Sequence, residues 1–308
     1  MNDRSVELET AHSPQVVAFE AVMPPAMAAQ AEAVGVKKAK TDPLTSLTLS
    51  ILAGAFISFG AIIATTVSAG NIAITTADGA TAFSAALPYG VVKLLAGFTF
   101  SVGLILVIVG GAELFTGNNL IVMAWASRKV KTRDLLRNWV IVFIGNFIGA
   151  IGTAALMFLT TQYTFGDGAI GLVALKTANA KAALSFVPAV TLGIMCNALV
   201  CLAVWMCYGA RTTVDKIAAI VPPLTAFVAA GFEHCIANIY YIPLGLFIKA
   251  GAPDSFWTSI HKSPADFPEL TWSNFFFANL IPVTIGNIIG GSLMVGAVYW
   301  FIYLRKAR

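Results

Sequence analysis

Two short stretches with the same residue spacing place polar side chains inside long apolar segments. Residues 111–118 (GAELFTGN) and 231–238 (GFEHCIAN) both follow the pattern G-x-E-x-x-x-x-N. Glu113 and Glu233 are the only acidic residues within the apolar segments. A carboxylate at membrane depth costs about 2.5–3.5 kcal/mol on insertion scales. Two of them in matching contexts predict two interrupted helices that face a shared polar path.

The second stretch also contains a histidine. His234 is the only histidine in apolar sequence, because His12 and His261 lie in polar segments. Imidazole titrates near physiological pH, so a buried histidine can donate a hydrogen bond to a carboxylate or pass it a proton. The position of His234 beside Glu233 favours such a role over that of an ordinary core residue. Thr116 occupies the first stretch, and its hydroxyl can donate or accept.

The composition indicates an integral membrane protein. Of the 308 residues, 58% are hydrophobic and 11% are charged, whereas soluble domains contain about 25% charged residues. The mean hydropathy is +0.81, and the formal net charge of +4 is too small to indicate nucleic-acid binding. The four cysteines lie in apolar segments without C-x-x-C spacing, so we expect small buried side chains and no disulfide, metal site or cofactor: Cys196, Cys201, Cys207 and Cys235.

Residues 1–43 are polar and are expected to form an N-terminal tail ahead of a membrane domain of residues 44–308. The first 22 residues are expected to be disordered, and the tail lacks the apolar core of a secretory signal peptide. From Pro24 to Lys40 the sequence predicts either a short helix at the membrane surface with a basic end, or a solvated linker.

The rest of the chain predicts six membrane spans. Spans two (about 91–126) and five (about 217–248) exceed the ~20 residues that one crossing needs, and each contains one of the polar stretches, so a broken helix explains both features. Polar loops are predicted up to Pro88 and around Lys176 and Lys181. The remaining spans are predicted at about 44–67, 139–159, 183–206 and 275–304. Basic residues concentrate on the side of both termini, which predicts cytoplasmic termini.

An internal repeat relates the two halves of this arrangement. Spans two and five share the G-x-E-x-x-x-x-N pattern, and spans three and six share residues 144–149 (IGNFIG) and 285–290 (IGNIIG). The order is therefore 1-2-3 followed by 4-5-6. Because three spans is an odd number, the second half enters the membrane upside down, and sites in such inverted repeats lie near the midplane.

Longer strings resemble the formate/nitrite transporter family. Residues 111–116 and 231–234 resemble the family's signatures, and residues 237–245 and 279–291 resemble its formate-channel branch. The resemblance covers about residues 24–308. It implies an all-α, aquaporin-like bundle of six helices in a bacterial inner membrane, assembled as a pentamer with one pore per subunit. The family conducts formate, nitrite, hydrosulfide and related small anions. No Asn-Pro-Ala motif occurs at either break, which argues against an aquaporin.

The resemblance also assigns pore residues. It matches the family's central pore histidine to His234 and places Thr116 opposite it. Five residues, which the sequence alone would assign to the core, match two hydrophobic constrictions on either side of the histidine: Phe100, Leu104, Leu114, Phe115 and Phe227. Apolar rings of this kind reject hydrated ions. The anion is therefore expected to gain a proton near His234 and to cross as the neutral acid, which makes passage depend on pH.

The two carboxylates are expected to be structural, because a bare carboxylate facing an anion path would repel the substrate. Glu113 and Glu233 are predicted to point away from the path and to accept hydrogen bonds from the backbone N–H groups that the breaks leave free. Asn118 and Asn238 are expected to assist them. An exposed proton-relay carboxylate stays open as the alternative.

Two further polar residues are candidates for the anion path. Lys181 is expected just outside span four, where a cation would concentrate anions at the pore mouth. The resemblance favours Lys181 over Lys176, whereas an interfacial lysine fits the sequence alone equally well. Asn197, in the middle of span four, is expected either to hydrogen-bond His234 or to brace helices.

Two alternatives to a formate channel follow from the same residues. A nitrite or hydrosulfide channel of the same family is not separated from it by sequence. An intramembrane enzyme is disfavoured, because the apolar segments lack the spacing of a metal-ligand set. We therefore expect no enzymatic activity, with small anions and protons as the partners.

Overall fold

The computed structural model describes residues 21–70, 72–75 and 81–305, which are almost entirely helical. The helices are α1 (Pro24–Lys40), α2 (Pro43–Val67), α3 (Tyr89–Val109), α4 (Phe115–Asn118), α5 (Val122–Ala126), α6 (Thr132–Leu159), α7 (Ala169–Ala182), α8 (Phe186–Gly209), α9 (Thr213–Ala229), α10 (Cys235–Gly251), α11 (Asp254–Ser259) and α12 (Trp272–Tyr303). A 3₁₀ turn, Asn119–Ile121, joins α4 to α5. Helix α12 contains the π-helical stretches Phe275–Leu280 and Ile289–Ala297.

Within the described residues, five helices are long and apolar enough to cross a membrane: α2, α3, α6, α8 and α12. Helices α9 and α10 have 17 residues each and are separated by residues 230–234. Large apolar side chains point outwards from these helices, including Phe98 (60% exposed), Val140 (58%) and Phe277 (71%). Such surfaces suit lipid rather than water. The chain is a multi-pass membrane protein.

Glycines set the close approach of two helix pairs. A Cβ atom on Gly149 of α6 would collide with the backbone oxygen of Ile51 in α2, and one on Gly290 of α12 would collide with that of Ile194 in α8. Small residues at a membrane helix interface let backbones approach in this way. Helices α2 and α6 therefore pack like α8 and α12.

The structure differs from the prediction in both polar loops. The loop expected up to Pro88 contains an antiparallel hairpin of β1 (Ile72–Thr75) and β2 (Thr81–Ala85), with Ile72 opposite Ala85. The loop expected around Lys176 and Lys181 is helix α7, which packs on α10 through a buried face. A helix of 14 residues is too short to stand out by apolar length, and its partner is distant in sequence.

Helix α1 packs against other helices of the protein. This differs from both predictions for the segment, a helix at the membrane surface and a solvated linker. Its buried Met27, Ala28 and Ala31 lie against Met123 and Trp205. Polar contacts also fix the rest of α1. Lys129 pairs with Glu32, and Arg137 donates to the carbonyls of Ala39 and Thr41 at 2.8 and 3.1 Å. Of the residues expected to be disordered, 1–20 lie outside the described part of the chain, as does His12.

Candidate functional site

The first polar stretch is a non-helical corner between α3 and α4. Gly111 has a φ of 75°, a conformation that glycine adopts without steric cost. Two backbone N–H groups that the corner frees find acceptors on other helices. Glu113 N donates to Leu49 O at 3.2 Å, and Phe115 N donates to Asn146 Oδ1 at 2.8 Å.

The second stretch repeats this geometry between α9 and α10. Gly231 has a φ of 74°. Glu233 N donates to Leu192 O at 3.3 Å, and Cys235 N donates to Asn287 Oδ1 at 3.0 Å. Both corners therefore have the same acceptors in matching helices, which satisfies backbone groups that would be costly to leave unpaired in an apolar interior.

Two leucine carbonyls and two asparagine side chains, not the carboxylates, satisfy the freed backbone groups. Besides accepting the N–H groups above, Asn146 Nδ2 donates to Glu113 O and Asn287 Nδ2 donates to Glu233 O, both at 2.9 Å. The prediction that Glu113 and Glu233 accept the backbone N–H groups is wrong in this respect. The shared I-G-N string of spans three and six carries these asparagines, and sequence reasoning used the string only as evidence of a repeat.

The Glu113 carboxylate instead belongs to what we call the first polar centre, formed by Lys38, Glu113, Asn118 and Asn138. Lys38 Nζ donates to Glu113 Oε2 at 3.0 Å and to Asn118 Oδ1 at 2.8 Å. Asn118 Nδ2 donates to Glu113 Oε2 at 2.7 Å and to Asn138 Oδ1 at 3.0 Å. Sequence reasoning missed Lys38, although the basic end of α1 was its signal.

The second polar centre consists of Lys181, Glu233, Asn238 and Asn279. Lys181 Nζ donates to Glu233 Oε1 at 2.7 Å, and Asn238 Nδ2 donates to Glu233 Oε2 at 2.6 Å and to Asn279 Oδ1 at 2.8 Å. The side chains of Lys181 and Glu233 are only 16% and 6% exposed. Lys181 is therefore an ion-pair partner from the last turn of α7, and not a free cation in a loop.

His234 and Thr116 meet between the two corners. Thr116 Oγ1 lies 3.1 Å from His234 Nε2, and both residues are buried. His234 is also the N-cap of α10, where its Nδ1 accepts the backbone N–H of Ala237 at 3.1 Å. Because Nδ1 acts as an acceptor, the ring proton of the neutral histidine is on Nε2, which donates to the threonine hydroxyl. The hydroxyl keeps its own proton for another acceptor.

A cavity of about 460 Å³, which we call the large cavity, opens on one side of His234. Phe100 and Phe227 form part of its wall, with their ring centroids 5.6 Å apart and edge to face. Three lysines also line it: Lys93, Lys176 and Lys181. Glu233 lines it as well, contrary to the prediction that this residue points away from the path, so the large cavity combines a net positive charge with an apolar wall beside the histidine.

A small cavity of about 30 Å³, enough for one or two waters, lies towards α1. Leu104 and Leu114 line it together with Lys38 and Asn118, and Gly35 of α1 closes one side. The two cavities share no lining residue. Four of the five predicted constriction residues thus form two pairs, Phe100 and Phe227 at the large cavity and Leu104 and Leu114 at the small one.

Four predicted site residues line neither cavity: Thr116 and Glu113, described above, and Phe115 and Asn197. The ring of Phe115 packs edge to face on Trp139 and Phe143, at 6.1 and 5.1 Å, so this residue belongs to the core around the first corner. Asn197 Nδ2 donates to Asn287 O at 2.7 Å and to Thr116 O at 3.3 Å. Of the two roles predicted for Asn197, the structure shows the one that braces helices, because its amide donates to backbone carbonyls of two other segments.

Comparison with known proteins gives the context for this arrangement. The family model described as formate/nitrite transporter matches residues 25–301. The chain is 46% identical to the formate channel FocA of Escherichia coli K12 over 288 residues, which cover 94% of this chain and 96% of that protein. It is 37% identical to the formate channel FocA of Haemophilus influenzae over 266 residues, covering 86% and 89%.

A solved structure of a pentameric formate channel with formate bound is also similar. Its TM-score with this chain is 0.77 at 43% sequence identity, and the match covers 85% of this chain and 98% of that one. The family model spans most of the sequence, and the relatives match along nearly their whole lengths. The chain belongs to the formate/nitrite transporter family.

Proposed function

We propose that this protein is a membrane channel that passes formate and related small anions through a pore centred on His234 and Thr116. The observation that carries the proposal is the contact of these two side chains at 3.1 Å, buried beside a cavity lined by lysines. The similarity to formate channels supports formate as the substrate and a pentamer as the assembly. The protein acts as a transporter without a cofactor, not as an enzyme.

The large cavity is the vestibule that concentrates the anion. Lys93, Lys176 and Lys181 line it, and Glu233 offsets the charge of Lys181 through their ion pair. Two lysines therefore remain to attract an anion. A cleft of one charge sign with low-dielectric walls raises the local concentration of its counter-ion. The vestibule thus delivers the anion to the histidine.

His234 and Thr116 then replace water as hydrogen-bond donors to the anion. The imidazole offers Nε2–H, and the threonine offers its hydroxyl. Phe100 and Phe227 narrow the path on the vestibule side of this pair, and Leu104 and Leu114 narrow it at the small cavity. An apolar constriction holds back a hydrated ion and admits a neutral molecule. The anion accordingly takes up a proton that enters from solvent through the large cavity, and it crosses beside His234 as the acid.

The topology we propose has six spans in an inverted 3+3 repeat, with spans two and five broken and both termini cytoplasmic in a bacterial inner membrane. The matched hydrogen bonds of the two corners support it, as do the two polar centres with their equivalent Lys, Glu and Asn residues. Helices α1 and α7 extend the repeat, because each supplies the lysine of one centre from its last turns.

Flux measurements in proteoliposomes test the proposed substrate. With formate, nitrite and hydrosulfide offered separately at two pH values, we expect formate to pass fastest and its flux to increase at the acidic pH, because more of it crosses as the neutral acid. Protein-free liposomes give the background permeation of each acid. If nitrite or hydrosulfide passes fastest, the substrate proposal fails and the alternative from the same family takes its place.

Helix α1 is proposed to close the cytoplasmic side of the pore at a pH below the range in which acid raises the formate flux. Gly35 and Ala31 wall the small cavity, and Lys38 anchors α1 to Glu113. A chain that begins at Gly35 loses part of the wall but keeps Lys38, and at this lower pH we expect several-fold higher formate flux from it than from the full chain. A chain lacking only residues 1–20 is the control and should close normally. If the chain without residues 1–34 still closes like the full chain, the proposal that α1 closes the pore is refuted.

A further inference from the structure

The backbone carbonyl of Thr116 accepts two side-chain hydrogen bonds from α8. Asn197 Nδ2 lies 3.3 Å from it, and Cys201 Sγ lies 3.3 Å from it. Residues four apart occupy the same face of a helix, so both donors approach from one side. We call this pair of donors the Thr116 clamp.

The carbonyl needs such donors because of the local backbone. Thr116 lies in the four-residue helix α4, which changes into the 3₁₀ turn Asn119–Ile121. Carbonyls near a helix end lack regular partners within the helix. Asn146 fixes Phe115 and the first polar centre fixes Asn118, and the two donors from α8 fix the Thr116 carbonyl between them.

Among the described residues, the other half of the molecule has no such clamp. The carbonyls of Leu49 and Leu192 are equivalent, because each accepts the glutamate N–H of its corner. Gly54 and Ser58 follow Leu49 by five and nine residues, and Asn197 and Cys201 follow Leu192 by the same distances. Ser58 Oγ donates within its own helix, to Gly54 O at 2.8 Å. The donors are therefore present only on the side that carries Thr116, and they are not a general requirement of the repeated fold.

Helix α12 makes room for the clamp. A Cβ atom on Gly291 would lie 2.8 Å from Cys201 Sγ and would collide with the Asn197 amide. The equivalent of Gly291 in the first half is Ala150, since each lies four residues after the corner asparagine. Ala150 faces Gly54 of α2. In the first half the glycine is on α2 and the larger residue on α6, whereas in the second half the glycine is on α12 and the larger residue, Asn197, on α8. This exchange makes space for the Asn197 amide beside Thr116.

We propose that Asn197 and Cys201 are positioning residues that hold the Thr116 backbone, so that its hydroxyl meets His234 Nε2. This inference rests on the proposed role of the His234–Thr116 contact in anion passage. Neither side chain touches the anion; each acts through the threonine carbonyl. Loss of one donor frees the segment, lengthens the contact with His234 and weakens the pH-dependent step.

Replacement of Cys201 tests the clamp. For Cys201→Ala we expect the ratio of formate flux in acid to flux at neutral pH to fall about two- to tenfold, the range that corresponds to one lost hydrogen bond. Cys201→Ser keeps an O–H donor and should restore the ratio. Cys207→Ala is the matched control, because that thiol faces the carbonyl of Lys216. A wild-type ratio in Cys201→Ala, or no recovery in Cys201→Ser, would overturn the inference.

A structure of the Cys201→Ala variant separates this inference from the proposed function. We expect the distance from Thr116 Oγ1 to His234 Nε2 to exceed hydrogen-bond range in that variant, compared with 3.1 Å here. An unchanged distance would rule out positioning by the clamp, whatever the flux data show. A lengthened distance with no pH dependence of flux even in the unaltered protein would keep the positioning and reject the proposed function.

Discussion

His234→Phe is expected to remove pH-dependent formate flux while the protein still assembles. The substitution removes the Nε2–H donor that faces Thr116 and leaves an apolar ring beside Phe227. A hydrogen bond to a charged group contributes about 1.5–3 kcal/mol, so we expect a loss of roughly tenfold to 150-fold in acid-stimulated flux. Proteoliposome flux across a pH series measures it, with size-exclusion chromatography to report the oligomer.

Two further variants separate the chemistry of His234 from its structural contact. His234→Asn keeps a side-chain acceptor for Ala237 N, because asparagine is a favoured N-cap residue, but it does not titrate. We expect it to assemble well and to lose the pH dependence. His261→Asn changes a surface histidine whose φ of 50° asparagine tolerates, and it should behave as wild type. If flux and its pH profile survive in both His234 variants, the proposed role of this histidine is wrong.

Much of the fold was predictable from apolar length and from repeated strings. A polar residue in an apolar segment has few explanations, so Glu113 and Glu233 marked the two corners, and His234 marked the site between them. The two polar loops were less informative, because apolar length carries no signal for a short helix such as α7. Its place depends on packing against α10, which periodicity in one segment does not contain.

The candidate site residues were easier to identify from the sequence than the residues that contact them. Lys38 reaches Glu113 from 75 positions away, and Lys181 reaches Glu233 from 52 positions away. No local pattern specifies such a pairing. The role of Asn146 and Asn287 was hidden for a related reason, because a repeated I-G-N string shows that a residue matters without showing which backbone group it satisfies.

The electrostatics of the vestibule follow from those unforeseen pairs. The family resemblance favoured Lys181 as the residue that attracts anions, but its ammonium group donates a hydrogen bond to Glu233 at 2.7 Å. Lys176 lines the same cavity with an exposed side chain, and among the described residues it is in no ion pair. We therefore propose separable roles for the two lysines, a structural one for Lys181 and anion attraction for Lys176.

Lys181→Met is expected to destabilise the protein strongly, because it leaves the Glu233 carboxylate buried without its counter-ion. Removing one partner of a buried ion pair typically costs about 3–5 kcal/mol. Asn238 and Asn279 still donate to Glu233 Oε2, but Oε1 loses its donor. Thermal or denaturant unfolding in detergent measures the loss. The double variant Lys181→Met/Glu233→Gln removes both charges, and we expect it to recover part of the stability.

Two matched lysine variants separate structure from anion attraction. Lys38→Met breaks the equivalent pair in the first polar centre, where the side chains of Lys38 and Glu113 are 26% and 13% exposed. Because water solvates the remaining carboxylate better there, we expect a smaller loss of stability. Lys176→Met should leave stability unchanged and lower the formate flux at low salt, with the difference shrinking at high salt as charges are screened. If Lys181→Met unfolds like wild type while Lys176→Met does not alter flux, the two lysines have been assigned the wrong roles.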